Sequence, residues 1–160
     1  MLILRVDDRL VHGQVIAGWA RPLGIQDLIL ASDRISRDEW ACNAYQLAIP
    51  EGIKFSCLDL RACADALGRQ ADNRRVMVVV EKIADAYNLV SRGLAVHEVN
   101  IGGLSYSEGA RSIAPYIYLT GDEIDAVAKV SVDVLAGFGL KRPIVETRES
   151  WMVLASAPDL

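Results

Sequence analysis

The feature that most constrains this chain is its regular alternation of short apolar runs with amphipathic segments. Short continuous apolar runs are typical of buried parallel strands, and apolar residues spaced three or four apart are typical of helices. Regular βα alternation predicts an α/β fold, a doubly wound, mostly parallel sheet with helices on both faces. The predicted strands cover residues 2–4, 28–31, 53–58, 75–80, 95–101, 116–119 and 140–146.

Helix signals lie between these runs. Ser36 and Glu39 predict a capping box, in which each side chain satisfies the other residue's free amide. The helix that follows carries Trp40, Ala44 and Leu47 on one face. A first helix is predicted near 13–21, a third from a cap at Asp59 to Gly68, and a fourth over 83–92, ending at Gly93.

A second capping box, Thr120 with Glu123, predicts the last helix. Pro143 lies within the strand predicted over 140–146 and favours an edge position for that strand, because proline cannot donate to a strand ladder. The tail is ambiguous, and 150–155 could form one short helix. The inward residues of the last helix and its terminating glycines are predicted to be Ile124, Val127, Val130, Val134, Gly137 and Gly139.

Length and charge narrow the classes of protein. A chain of 160 residues favours one domain, 1–160, with 147–160 unassigned. The net charge of −4 gives no reason to expect nucleic acid or an anionic membrane as a partner. Three cysteines without a Cys-x-x-Cys pair favour reduced thiols. The sequence predicts no signal peptide and no apolar run long enough to span a membrane. We therefore expect a cytoplasmic protein with no metal and no cofactor.

The stretch 5–14, RVDDRLVHGQ, joins the first strand to the first helix. It lies at the carboxyl end of a strand, where open α/β sheets bind ligands. His12, one of two histidines, is the strongest candidate for chemistry, although a lone histidine there is more often satisfied by backbone and idle. Arg9 can present a planar fork to a phosphoryl group, and Arg5 is the other cation nearby.

Two further features favour a histidine that carries phosphate. The first amides of the following helix, near Gly13 and Gln14, have no partner within the helix and attract anions. Gly13 lacks a β-carbon, so a group on the imidazole can lie against the backbone.

The two aspartates of this stretch need a separate role, because a carboxylate repels a dianion. We expect Asp7 to orient His12 or Arg9, with helix capping as the alternative. For Asp8 we expect capping first.

A second loop, 100–105, carries Gly102, Gly103 and Ser105 after the fifth predicted strand. It is either a plain turn or a second phosphate-binding loop, which would adjoin His12 if strands one and five are neighbours. Ser105 could then add a hydroxyl. His97 is expected to be a structural histidine within that strand, and Trp19 to pack in the core.

The sequence contains neither of the phosphate-binding motifs Gly-x-x-x-x-Gly-Lys-Ser/Thr and Gly-x-Gly-x-x-Gly. It also lacks Gly-x-Ser-x-Gly, the motif of a nucleophilic serine. Instead, 6–15 with Trp19 resembles the active-site signature of the enzyme IIB component of the mannose/fructose/sorbose family of sugar phosphotransferase systems (PTS). Residues 100–103, 48–52 and 115–120 resemble further pieces of that family. The resemblance spans residues 1 to about 140.

This resemblance implies that His12 accepts a phosphoryl group from phosphohistidine of a IIA component. His12 would pass the group to a sugar entering through the membrane subunits IIC and IID. By motif position, Arg9 would hold the phosphate and Asp7 would support His12. The phosphate-binding set is predicted to be Arg9, Gly13, Gln14, Gly102, Gly103 and Ser105. The resemblance also admits a homodimer.

Two other function classes stay open from the residues: a regulatory phosphocarrier not coupled to a permease, and a small α/β hydrolase with His12 as general base. Donor and acceptor must meet at an exposed histidine and then part, so a small interface is expected, toward or below ~1,200 Å². Leu10 and Val11 are predicted to contribute to it. The competing interpretation buries both as the first anchors of the helix.

Overall fold

Five parallel strands form one sheet in a computed structural model that describes residues 1–68 and 73–138. They lie in the order β3-β2-β4-β1-β5, so the chain crosses over the sheet between sequential strands. Every residue of β1, β2 and β4 is buried, as the apolar runs require. The strands are β1 (Leu2–Val6), β2 (Asp27–Ala31), β3 (Lys54–Leu58), β4 (Val76–Val80) and β5 (Glu98–Ile101).

Helical segments cover both faces of this sheet. The π-helical turn Val15–Ala20 and helix α1 (Glu39–Ala48) pack on one face. Helices α2 (Leu60–Leu67), α3 (Ile83–Ser91) and α4 (Gly121–Phe138) pack on the other. Side chains alternate between faces along a strand. In β1, Leu2, Leu4 and Val6 therefore face α2 and α3, while Ile3 faces the π-helical turn. The doubly wound α/β prediction is confirmed.

The start of α1 differs from the prediction. Ser36 lies in a 3-10 turn, Ile35–Arg37, and Asp38 caps the helix by accepting from Ala41 N at 3.0 Å. The predicted Ser36–Glu39 box is wrong because the extra turn moves the helix start by two residues. The face shared by Trp40 and Leu47 points to solvent, with 88% and 87% of these residues exposed.

Three other predicted helix ends are confirmed. Asp59 caps α2 by accepting from Ala62 N at 2.7 Å. Gly93 follows α3 with φ +88°, a left-handed conformation that glycine adopts at little cost. Thr120 and Glu123 form the reciprocal capping box of α4: Thr120 N donates to Glu123 Oε2 at 2.8 Å, and Glu123 N donates to Thr120 Oγ1 at 3.3 Å.

The region around β5 also departs from the prediction. β5 begins at Glu98, so His97 precedes the strand instead of lying in it. An unpredicted strand, β6 (Arg111–Ala114), pairs antiparallel with β7 (Ile117–Leu119).

Gly137 does not end α4, which continues to Phe138.

Most of the C-terminal predictions concern residues beyond Phe138. Gly139, the strand over 140–146 with Pro143, the tail 147–160, and the side chains of Val130 and Val134 lie outside the described residues. Ile124 and Val127 do pack inward from α4. Within the described ranges, no helix combines the length and apolar character needed to cross a membrane.

Candidate active site

The loop after β1 turns back on itself immediately beyond Val6. Asp7 N donates to Val80 O of β4, and Leu10 N donates to Asp7 O, both at 2.9 Å. Leu10 has φ +56°, which is uncommon for a residue other than glycine. This tight turn brings the ring of His12 beside the side chain of Asp7, at the carboxyl edge of the sheet.

The loop after β5 is bonded directly to the first loop. Gly102 N donates to Val6 O at 2.6 Å, and Asp8 N donates to Gly103 O at 3.0 Å. Asp8 Oδ2 accepts from Ser105 N at 2.6 Å. The two glycine-bearing loops are therefore neighbours, because β1 and β5 pair. The expected helix cap at Asp8 is wrong, since its carboxylate ties the loops together instead.

The Asp7 carboxylate is the centre of the site. It is fully buried, and both of its oxygens lie 3.3 Å from His12 Nε2. Asp7 Oδ1 also accepts from Arg9 N at 3.2 Å and from Arg9 Nε at 3.4 Å, while Oδ2 accepts from Arg5 Nη2 at 2.8 Å. Asp7 thus contacts both residues that the sequence analysis expected it to orient.

Burial by itself would raise the pKa of the Asp7 carboxyl. The hydrogen bond and positive charge of Arg5 outweigh that effect, and His12 and Arg9 N act in the same direction, so the pKa lies below its ordinary value. Asp7 is therefore a carboxylate at neutral pH and can only accept hydrogen bonds.

The partners of the His12 ring assign its tautomer. Because the Asp7 carboxylate accepts, Nε2 carries the ring proton. On the other side of the ring, Gln14 N donates to His12 Nδ1 at 3.2 Å, so Nδ1 holds a lone pair. The His12 side chain is partly exposed, and Nδ1 is the ring nitrogen that carries the lone pair.

Arg9 is the exposed cation of the site. Its side chain is 53% exposed, and its Nη2 donates to Gln14 Oε1 at 3.0 Å. Gln14 therefore contacts Arg9 through its side chain and His12 through its backbone. A β-carbon on Gly103 would lie 3.2 Å from Arg9 Nη2, so a glycine at this position avoids a tight contact with the guanidinium.

The remaining predicted residues have distinct surroundings. Gly13 is exposed, and apart from its chain neighbours and the adjoining turn of helix no described residue has an atom within 4 Å of the position that its β-carbon would take. A β-carbon on Gly102 would instead collide with Arg5 and Asp7. Ser105 is exposed and is tied to the site by its backbone N–H.

Leu10 and Val11 are not surface residues. They are only 2% and 4% exposed and pack with the π-helical turn and the sheet. The prediction that they contribute to a partner interface is wrong. The left-handed conformation of Leu10 lets two consecutive apolar side chains both reach the core.

Two buried polar residues were not predicted as part of the site. Arg5 of β1 and Asn100 of β5 are paired in register, and Arg5 Nη1 donates to Asn100 Oδ1. A charged residue inside a strand that is buried on both faces was the available signal, because such a charge requires a partner.

The second histidine has a structural contact. His97 Nδ1 accepts from Leu2 N at 3.0 Å, in agreement with the structural role expected for it. Over residues 1–68 and 73–138, no group of three or more His, Cys, Asp or Glu is arranged to hold a metal ion.

Comparison with known proteins gives a consistent result. Residues 1–146 match the family described as PTS system sorbose subfamily IIB component. The chain is 29% identical over 126 residues to N-acetylgalactosamine-specific phosphotransferase enzyme IIB component 2 of Escherichia coli (strain K12), covering 79% of this chain and 80% of that protein. It is 25% identical over 130 residues to the mannose-specific EIIAB component of the same strain, covering 81% of this chain and 40% of that protein.

A solved structure agrees with both sequence and fold. The IIBSor domain of the sorbose permease from Klebsiella pneumoniae superposes with a TM-score of 0.75 at 26% identity, covering 84% of each chain. The family match covers all of the described residues, including both loops of the site. The chain thus belongs to the sorbose subfamily of PTS IIB components.

Proposed function

We propose that this IIB component carries a phosphoryl group on His12 Nδ1. The group would come from a phosphohistidine of a IIA component and pass to a sugar entering through IIC and IID. The observation that carries the proposal is the arrangement around one partly exposed ring: Asp7 contacts Nε2, while the contact of Nδ1 among the described residues is the backbone N–H of Gln14.

The proposed reaction has two in-line steps. In the first, the P–N bond in the donor breaks as His12 Nδ1 bonds to phosphorus, and the donor imidazole leaves with the electron pair. In the second, a sugar hydroxyl oxygen bonds to phosphorus, the P–N bond to His12 breaks, and the hydroxyl proton is released. The proton on Nε2 stays in place during both steps. The ring is cationic while it is phosphorylated, and the adjacent Asp7 carboxylate stabilises that charge.

Phosphoryl transfer depends on positioning and positive charge more than on covalent help. Arg9 is suited to bind the phosphoryl oxygens, because its guanidinium is exposed beside the ring and is held by Gln14. Open space at Gly13 gives the group room next to Nδ1. Gln14 N, which now donates to Nδ1, can donate to a phosphoryl oxygen instead.

The second loop has a supporting role in this proposal. Gly102 and Gly103 keep space for the Asp7 and Arg9 side chains, and Ser105 fixes Asp8 through its backbone. We infer that these three residues shape the phosphate site, and that the exposed Ser105 hydroxyl lies at its edge.

Two comparisons support the partners. One relative is the mannose-specific EIIAB component, whose name combines IIA and IIB, and a similar solved structure is the IIBSor domain of a sorbose permease. We propose that residues 1–160 form one IIB domain that meets IIA and the membrane subunits in turn at the His12 edge of the sheet.

The experiment is a phosphorylation assay with defined components. The protein is incubated with phosphoenolpyruvate, the general PTS proteins and IIA from the matching E. coli mannose system, and the acid-labile phosphate is mapped by mass spectrometry. We expect one phosphate, on His12, that is absent from His12→Ala and present in the control His97→Gln. Label on His97, or label persisting in His12→Ala, contradicts the assignment.

A second measurement identifies the nitrogen and the acceptor. The 31P and 15N spectra of the phosphorylated protein should report an Nδ1 phosphate, and an Nε2 phosphate would contradict the proposed geometry. Transfer to sugar is followed in membranes containing IIC and IID. Phosphorylation without any transfer to sugar would favour the regulatory phosphocarrier.

A further inference from the structure

Arg5 is a charged residue that is buried within the central sheet, beneath the exposed part of the site. It lies near the end of β1 with 1% of its surface exposed, in a strand whose other residues are all apolar. Its guanidinium contacts Asp7 Oδ2 at 2.8 Å and Asn100 Oδ1, and its Cζ lies 5.0 Å from the centre of the Trp19 ring. Three different elements therefore hold this one side chain in place.

Stability alone gives no reason for this arrangement. Burial is the largest influence on the pKa of Arg5 and lowers it, and Asp7 only partly offsets that effect. Arg5 Nε and Asn100 Nδ2 are buried without a hydrogen-bond partner among the described residues. Buried ion pairs are often no more stabilising than apolar side chains of similar volume.

The contacts of Arg5 instead fix the position of the Asp7 carboxylate. Its two terminal nitrogens form a fork between Asn100 and Asp7, and the Arg5–Asn100 pairing in the sheet fixes the direction of that fork. Gly102 lies against the same side chains and leaves them no additional room to move. The carboxylate that Arg5 holds is the one that contacts His12 Nε2 at 3.3 Å.

We propose that Arg5 is a positioning residue for phosphotransfer: supported by Asn100, it holds the Asp7 carboxylate against His12 Nε2 and so keeps Nδ1 free to accept phosphorus. This inference rests on the proposed function of His12. Arg5 touches neither phosphorus nor partner and acts through Asp7. It forms and breaks no covalent bond, and the Nε2 proton stays where it is.

Four charged or titratable groups meet in this arrangement. The Asp7 carboxylate is contacted by Arg5 of β1 and by Arg9 and His12 of its own loop. Asp7 N donates to the Val80 carbonyl of β4, and the neutral amide of Asn100 on β5 acts on Asp7 through Arg5. Among the described residues, Arg9 is the second arginine that contacts Asp7, but it is exposed and also bound to Gln14, so it cannot replace the buried Arg5.

The test compares Arg5→Met and Arg5→Lys with a matched control, Arg74→Met. Arg74 also pairs with an aspartate, Asp27, at 2.7 Å, but at the amino end of the same sheet. Thermal unfolding establishes that each variant is folded. The tautomer of His12 is then read from 15N shifts of the ring in the unphosphorylated protein without any partner, at a pH where the imidazole is neutral.

The second readout is phosphotransfer from phosphorylated IIA. We expect both Arg5 variants to show a mixture of ring tautomers and a kcat lower by roughly 10-fold or more, as when other partners that orient a histidine are removed. KM for IIA should stay unchanged, because Arg5 is buried. Arg5→Lys keeps the charge without the fork and should recover part of kcat, whereas Arg74→Met should keep the wild-type tautomer and kcat.

Each result decides the question. An Nε2–H tautomer with wild-type kcat in a folded Arg5 variant overturns the inference, as does a loss confined to KM. If Arg5→Met does not fold, Arg5→Lys decides. If neither folds, Asn100→Ala carries the same readouts, because it removes the support and leaves the Arg5 charge. Failure of the wild-type protein to accept phosphate would overturn the proposed function, and the tautomer measurement would still test Arg5.

Discussion

The substitution Gly102→Ala tests whether the two loops form one rigid site. The new methyl carbon would lie 2.6 Å from Asp7 Oδ2 and 2.7 Å from Arg5 Cζ, with Arg5 Nη2 closer still. The first of these distances is about 0.8 Å shorter than the 3.4 Å at which ordinary contact begins. Gly102 does not have a positive φ, so the effect comes from space alone.

The magnitude follows from what must move. Overpacking a close-packed interior costs about 1–3 kcal/mol, and separating a buried ion pair costs about 3–5 kcal/mol. Neither Arg5 nor Asp7 can move into solvent, so we expect a loss of about 3 kcal/mol in the free energy of unfolding. In a chain of this size, that loss lowers Tm by roughly 6–12 °C. Displacing Asp7 also releases His12, so phosphotransfer should fall by roughly tenfold or more.

The assay is thermal unfolding followed by circular dichroism, combined with the rate of phosphotransfer from IIA. Gly18→Ala is the matched control, because its β-carbon position has no atom within 4 Å from the described residues outside its own helical turn. It should leave stability unchanged or raise it by up to about 1 kcal/mol, since alanine favours helix over glycine. A Gly102→Ala protein with the Tm and transfer rate of the wild type would refute the rigid packing of Arg5 and Asp7.

Three further predictions concern other parts of the site. Arg9→Ala should lose a charge-assisted contact with phosphate worth about 1.5–3 kcal/mol, roughly a tenfold or greater loss in transfer rate with little change in Tm, and Arg9→Lys should recover only part of it. Steady-state phosphotransfer measures this, and a normal rate in Arg9→Ala would assign phosphate binding to backbone amides. Val11→Asp should lower the free energy of unfolding by about 4 kcal/mol or more, because it buries an unpaired charge. Denaturant unfolding measures this change, and a variant as stable as the wild type would contradict the buried position of Val11. The lowered pKa of Asp7 means that its ionised form contributes stability above the unfolded value of 3.8, and this contribution is lost as pH falls below 3.8 toward the folded pKa. The difference in unfolding free energy between wild type and Asp7→Asn should therefore be constant above about pH 5 and shrink only in stronger acid, whereas a difference that disappears near neutral pH would show that Arg5 does not keep Asp7 ionised.

Signals confined to a few neighbouring residues were reliable. The apolar runs predicted β1, β2 and β4, because a strand covered by helices on both faces requires apolar side chains throughout. Asp59 and the Thr120–Glu123 pair marked helix starts, since a capping bond spans only three residues. His12, Arg9 and Asp7 were found as candidates for the same reason: all three lie in one turn.

Local signals failed where two local solutions were nearly equal. Both Ser36 and Asp38 can cap a helix, and the 3-10 turn before α1 decided for Asp38. Leu10 and Val11 are adjacent, and both were predicted to contribute to a partner interface. The left-handed φ of Leu10 redirected the chain so that both are buried.

The parts of the site that depend on strand order could not be predicted from the sequence. Arg5 and Asn100 are 95 residues apart, and nothing near either residue indicates the other. They meet because β5 pairs with β1, which also joins Gly102 N to Val6 O and Ser105 N to Asp8. The sequence by itself determined the βα alternation and the reactive turn, because both follow from neighbouring residues. Only the tertiary structure decided how Asp7 is held, because that depends on the register of two strands brought together by the fold.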